Sequence, residues 1–187
     1  MPIHPRRRQN SAEATLRIIA GNLRHRLIRF PAQASVRPTP ERVRETLFNW
    51  LGQTLDGQTC LDLFAGSGAL GFEAYSRGAA KVVLLEPDRI SCAALTRNAQ
   101  TLQANVEIQA ISAENFLARD PRRFDIIFFD PPFASDYYTS LWPAIGQHLA
   151  PHGQVYVESP RPFEADGWAA WRAKRAGNVF YQLMVRE

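Results

Sequence analysis

From residue 59 onward the chain alternates short apolar runs with longer segments whose apolar positions recur every three or four residues. The runs at 59–64, 81–86, 105–110, 124–130 and 154–158 read as strands, and 69–77, 88–103, 113–119 and 137–149 read as helices. Apolar strands alternating with helices predict a parallel sheet with helices on both faces. The tail breaks this rhythm. Residues 168–175, a turn at Ala176-Gly177-Asn178 and residues 179–185 read as a closing hairpin, so the last strands should be antiparallel.

Upstream the pattern differs. Residues 1–13 are polar, basic and proline-bearing, and are expected to be disordered. Between residues 16 and 30, two apolar-and-arginine runs flank Gly21-Asn22 and read as a small hairpin, followed by a loop over 31–38. Thr39 then reads as a helix N-cap, with Pro40 at the first helical position and Glu41 in the first turn. Val43, Leu47, Phe48, Trp50 and Leu51 repeat at helical spacing until Gly52 stops the helix. The organisation predicted is a tail (1–13), a hairpin and loop (14–38) and one catalytic domain (39–187).

Charge adds an asymmetry. The net charge is +4, but residues 1–44 hold ten Arg against two Glu, a balance of +8, and the remainder therefore carries −4. A basic end on a mildly acidic body suggests that the N-terminus docks a polyanion. No apolar run approaches the roughly 20 residues of a membrane span. Arg6, Arg7 and Arg8 are not followed by the apolar stretch of a secretory signal, so a cytoplasmic location is expected. Cys60 and Cys92 are too few and too far apart for a disulfide framework. Neither they nor the four histidines cluster as metal ligands, and no metal is expected.

Candidate chemistry sits in two segments. The first is Leu61-Asp62-Leu63-Phe64-Ala65-Gly66-Ser67-Gly68-Ala69-Leu70-Gly71, a strand, a glycine turn and a helix start. Glycines there let the backbone turn tightly and let a ligand approach. Glu86 ends the next strand, 20 residues after Gly66, where a carboxylate can accept both hydroxyls of a ribose. The letters also satisfy GxGxxG, so a nicotinamide dehydrogenase competes. Against it stand Asp62 just before the turn, a whole helix before the first strand, and the second segment.

That second segment is Asp130-Pro131-Pro132-Phe133, at the end of the apolar run 124–130. An exocyclic nucleobase amine is a poor nucleophile because its lone pair is delocalised into the ring. If Asp130 and the Pro131 carbonyl each accept one N–H, the nitrogen turns toward tetrahedral geometry and its lone pair becomes available. Phe133 offers a stacking face for the base. Neither Cys60 nor Cys92 lies at this corner, so carbon methylation through a cysteine nucleophile is set aside.

These residues, with RIIAGNLRHR (17–26), RPTPERVRETLFNWL (37–51), LDLFAGSGALGFEAYSRGA (61–79), DIIFFDPPF (125–133) and YVES (156–159), resemble the bacterial 16S rRNA guanine-N2 methyltransferases. The resemblance implies a Rossmann-like class I methyltransferase fold, with seven mostly parallel strands and the last antiparallel. It implies S-adenosylmethionine as methyl donor and 16S rRNA in the 30S subunit or its precursor as partner. The chain is expected to act as a monomer. Carried over by position, Asp62, Phe64, Gly66, Gly68, Glu86, Ala113 and Thr39 would hold the cofactor, with Ala113 bordering the adenine. Asp130, Pro131 and Phe133 would handle the guanine. Arg37 would lie on a segment closing over the pocket, and Arg17, Arg24, Arg26 and Arg37 would serve RNA binding. Ser112 stands where relatives often carry Asp or Asn, and Phe133 replaces a common tyrosine. An N6-adenine methyltransferase and a non-catalytic RNA-binding protein remain as rivals.

Overall fold

The computed structural model describes residues 13–32 and 38–187. The apolar-and-arginine runs form β1 (Glu13–Arg17) and β2 (Leu27–Pro31), an antiparallel pair with Thr15 opposite Arg29. Glu13 is therefore in a strand, and the expectation of disorder for residues 1–12 falls outside the described residues. Next comes α1 (Glu41–Leu51). The Pro40 carbonyl accepts the N–H groups of Val43 and Arg44, so Pro40 is the cap and Thr39 lies before it. This corrects the expected Thr39 cap: the Thr39 side chain is buried and makes no hydrogen bond to the helix start.

The alternating region follows the predicted order: β3 (Thr59–Asp62), α2 (Ala69–Ser76), β4 (Lys81–Leu85), α3 (Arg89–Leu102), β5 (Glu107–Gln109), α4 (Ala113–Arg119) and β6 (Phe124–Phe129). The single helix expected over 137–149 is two short ones, α5 (Tyr137–Ser140) and α6 (Trp142–Ile145). Pro143 has no N–H to carry a helical bond through that point. β7 (Leu149–Ser159) starts earlier than expected and passes through Pro151-His152-Gly153 by a bulge: Phe124 pairs Leu149 but Ile126 pairs Gln154. β8 (Trp168–Ala176) and β9 (Val179–Arg186) complete the chain.

Seven strands form one sheet in the order β5-β4-β3-β6-β7-β9-β8, with β9 antiparallel to both neighbours and the other adjacent pairs parallel. Strand alternation sorts the core into two layers. Cys60, Leu84, Ile126, Phe128 and Tyr156 face α1, α2, α3 and the hairpin's Ile18 and Ile28. Leu61, Val83, Ile127, Phe129, Val155 and Val157 face α4 and α6. This is the class I methyltransferase architecture.

The hairpin is bound into this body. Glu73 of α2, fully buried, accepts the N–H groups of Ile19 (2.8 Å) and Ala20 (3.1 Å). Ser76 accepts from Asn22 and Leu23, and Asn98 of α3 exchanges two hydrogen bonds with the Arg29 backbone. A Cβ on Gly21 would lie 1.8 Å from the Ser76 carbonyl oxygen, so only glycine permits this approach.

Candidate active site

Parallel strands place their carboxyl ends on one rim, and here each of four adjacent strands delivers a carboxylate to it. Asp62 closes β3, Glu86 follows β4, Asp130 follows β6 and Glu158 lies near the end of β7. The register fixes their proximity: Asp62 pairs Leu84 and Phe128, and Phe129 pairs Val157. Asp62 and Glu158 are buried, and none of the four forms an ion pair among the described residues.

Unpaired burial raises proton affinity. Desolvation pushes Asp62 up to about 7, against backbone N–H donors at Phe64 and Gly71. Burial raises Glu86 as well, opposed by the N–H groups of Asp88 and Gly66. Asp130 lies well above the ordinary carboxylate range, through desolvation first and then the charges of Glu158 and Asp62. Glu158 is raised by burial, while the Tyr156 and Thr39 hydroxyls work the other way. A rim of this kind favours a cation.

The glycine turn beside it is tightly made. Gly66 and Gly68 have φ of 49° and 81°, which a glycine adopts without strain. A Cβ on Gly68 would lie 2.6 Å from the Phe72 ring and 2.7 Å from Leu95. Gly66 N–H donates to Glu86 Oε2 (3.0 Å) and Asp88 N–H to Oε1 (2.8 Å), so the carboxylate is aimed with a lone pair spare on each oxygen. Phe64 is half-buried, 5.3 Å from the Tyr137 ring and 5.7 Å from Phe129. Ala113 is buried at the start of α4. Ser112 caps that helix, accepting from the Asn115 N–H at 3.4 Å, so its side chain is engaged locally.

At the other corner Pro131 is buried and Phe133 is 41% exposed. The Pro132 carbonyl accepts the Ser135 N–H and makes a turn. The Pro131 carbonyl accepts no backbone N–H in the turns and loops of the described residues, and so remains free to accept one. Thus Asp62, Gly66, Gly68, Glu86, Asp130 and Thr39 converge on one rim, with Phe64 and Ala113 on its α4 side. Arg17, Arg24 and Arg26 are exposed on or between the hairpin strands, and Arg26 donates to the Thr101 carbonyl (2.9 Å). Arg37 lies outside the described residues.

Sequence reasoning assigned no role to Glu158 or its escort. The Tyr156 hydroxyl donates to Glu158 Oε1 (2.8 Å), and the Tyr138 hydroxyl donates to the Glu158 carbonyl (2.7 Å). The signal was present: Glu158 ends an apolar run, just as Glu86 and Asp130 do.

The donor set fits a sulfonium nucleoside: carboxylates for positive charge, an aimed carboxylate for a ribose diol, and aromatic and small apolar residues for a flat ring. Comparisons agree. The family described as "Conserved hypothetical protein 95" matches residues 16–185. The ribosomal RNA small subunit methyltransferase D of Escherichia coli K12 is 40% identical over 95% of this chain and 93% of its own. That of Haemophilus influenzae is 37% identical over 92% and 95%. The solved Escherichia coli yhhF structure superposes with a TM-score of 0.83 at 41% identity, over 93% of this chain and 99% of that one. At 22% identity the Thermus thermophilus 16S rRNA N2 G1207 methyltransferase, solved with AdoMet and guanosine, shares the fold (TM-score 0.69; 94% of this chain, 50% of that one). The chain belongs to the conserved hypothetical protein 95 family, that of the ribosomal RNA small subunit methyltransferases D.

Proposed function

We propose that the chain transfers a methyl group from S-adenosylmethionine to the exocyclic N2 of one guanine in 16S rRNA, on the 30S particle or an assembly intermediate. The observation that carries this reading is the meeting of Asp130-Pro131 with the glycine turn and Glu86 on one rim. S-adenosylmethionine, when bound, supplies a methyl group activated by a sulfonium. Asp62 faces the methionine ammonium, Glu86 takes the ribose hydroxyls, and Phe64 and Ala113 border the adenine. Thr39 steadies Glu158 at the rim.

The target base must leave its stack to reach this rim. Phe133 then stacks on it, a contact of roughly 1–3 kcal/mol. Asp130 and the Pro131 carbonyl accept the two N–H groups and aim the nitrogen lone pair at the methyl carbon. Alignment supplies most of the remaining rate. As the nitrogen–carbon bond forms, the carbon–sulfur bond breaks, and the methylated amine sheds one proton toward Asp130 or solvent. Arg17, Arg24, Arg26 and Arg37 hold rRNA phosphates.

The test is transfer of labelled methyl to 30S particles purified from a strain lacking the gene, followed by nucleoside mass spectrometry. N2-methylguanosine in 16S rRNA is the expected product. N6-methyladenosine, or no labelled nucleoside, would overturn the reading.

A further inference from the structure

β8 is the outermost strand of the sheet, and residues 170–175 on it are exposed. It carries Arg172, Lys174 and Arg175, with no acidic residue between positions 168 and 180. None of the three forms an ion pair among the described residues. Trp171 stands among them as the extra residue of a bulge: Ala170 pairs Met184 and Arg172 pairs Leu183. Trp171 is 45% exposed, with the Arg172 guanidinium carbon 4.2 Å from its ring centroid.

The register joins this strip to the acid rim. Glu158 pairs Tyr181, which pairs Lys174; Ser159 pairs Phe180, which pairs Arg175. Asp130 is level with Glu158, because Phe129 pairs Val157. Lys174 thus lies three strands from Asp130 along one row, about 15 Å at the usual inter-strand spacing. That is a reach of a few nucleotides. The hairpin packs on α2 and α3, over the β3–β5 half of the sheet, so it approaches the rim from the opposite end.

We propose that the β8 edge, Trp171 with Arg172, Lys174 and Arg175, docks the single-stranded rRNA that flanks the target base. This rests on the rRNA methyltransferase reading. Three unpaired cations match a phosphate backbone, and the exposed indole face offers one flanking base a stacking platform. Positive charge on an edge strand also discourages edge-to-edge pairing. That purpose accounts for Lys174, but not for an exposed indole held in a bulge under an arginine.

The test compares wild type, Trp171→Ala, Trp171→Phe and the triple variant Arg172→Ala/Lys174→Ala/Arg175→Ala. Filter retention of 30S particles reads binding, and methyl transfer is followed separately. Trp171→Ala and the triple variant should raise the 30S Kd and KM at least about ten-fold, with kcat, cofactor Kd and Tm unchanged. Trp171→Phe should restore most of the loss. The triple variant should also flatten the slope of log K against log salt by about 2. Unchanged 30S affinity in both would overturn the proposal. So would a wild-type dimer in sedimentation that the triple variant dissolves without loss of 30S affinity, since the occupant would then be a second copy. Wild type that binds 30S but transfers no methyl would strike the proposed function, while the binding series still decides the role of β8.

Discussion

Arg44 and Glu73 face each other across 3.6 Å with both side chains buried, and through them the N-terminal hairpin is clasped to the sheet. Arg44 Nη1 and Nη2 donate to the Arg17 carbonyl at 3.1 Å, and Nε donates to the Thr39 carbonyl at 3.3 Å. Glu73 also takes Arg77 Nε at 2.8 Å. One guanidinium therefore ties the hairpin, Thr39 ahead of the α1 cap, and the core of α2. Arginines on the hairpin are thereby held in fixed relation to the body of the sheet.

Removing the shared carboxylate should release that clasp. Glu73→Ala leaves Arg44 and Arg77 buried without a counter-charge, a loss of about 3–5 kcal/mol. Thermal unfolding should show Tm lower by on the order of 10 °C. Hydrogen exchange at the Ile19 and Ala20 amides should accelerate more than exchange in β3 and β6.

Asp62 predicts opposite effects on stability and on binding. Its pKa is raised from 3.8 to about 7. Between those values the folded chain binds more protons than the unfolded chain, so this group's contribution to stability falls as pH rises through the window. Asp62→Asn should therefore raise Tm at pH 8. The same change should weaken S-adenosylmethionine binding about ten-fold or more, as expected for losing a charged hydrogen bond. Wild-type affinity, measured by calorimetry, should weaken as pH drops below about 7, and the variant's should not.

Glu158 adds to the proton affinity that burial gives Asp130. After desolvation its charge is the largest influence raising Asp130. Glu158→Gln keeps an acceptor for Tyr156 and removes that charge, so Asp130 should ionise at lower pH. The acid limb of the single-turnover rate profile should move to lower pH, with the 30S KM unchanged. An unmoved limb would remove Glu158 from the chemistry.

Phe133 is exposed enough to be dispensable for folding. Phe133→Ala should lower kcat/KM for 30S particles by about 5- to 150-fold, the equivalent of one base stack, with Tm unaltered. Phe133→Tyr keeps the ring face and should retain activity.

The strand and helix rhythm was legible because central parallel strands are apolar on both faces, as in 124–130. The rim carboxylates Glu86 and Asp130 were legible because each terminates such a run, and Asp62 because it stands just before the glycine turn. Boundaries were less so. Thr39 has the composition of a cap, but its side chain is buried on the side of Glu158 and Pro40 takes the capping place. Pro143 divides the helix expected over 137–149, and Pro151 to Gly153 look like a turn although the strand runs through them as a bulge. Glu73 carried an unused signal: a lone carboxylate in ALGFEAYS, a helix otherwise without charge, has to find a buried partner. That the partner would be the hairpin depends on which elements share a face of the sheet, and no local pattern encodes that.

The most direct measurement is single-turnover methyl transfer by Asp130→Ala on 30S particles, taken together with its affinity for S-adenosylmethionine. Transfer should fall by at least on the order of 100-fold, while cofactor binding stays within a few fold of wild type. Undiminished transfer would contradict the claim that Asp130 aims the guanine amine at the methyl donor.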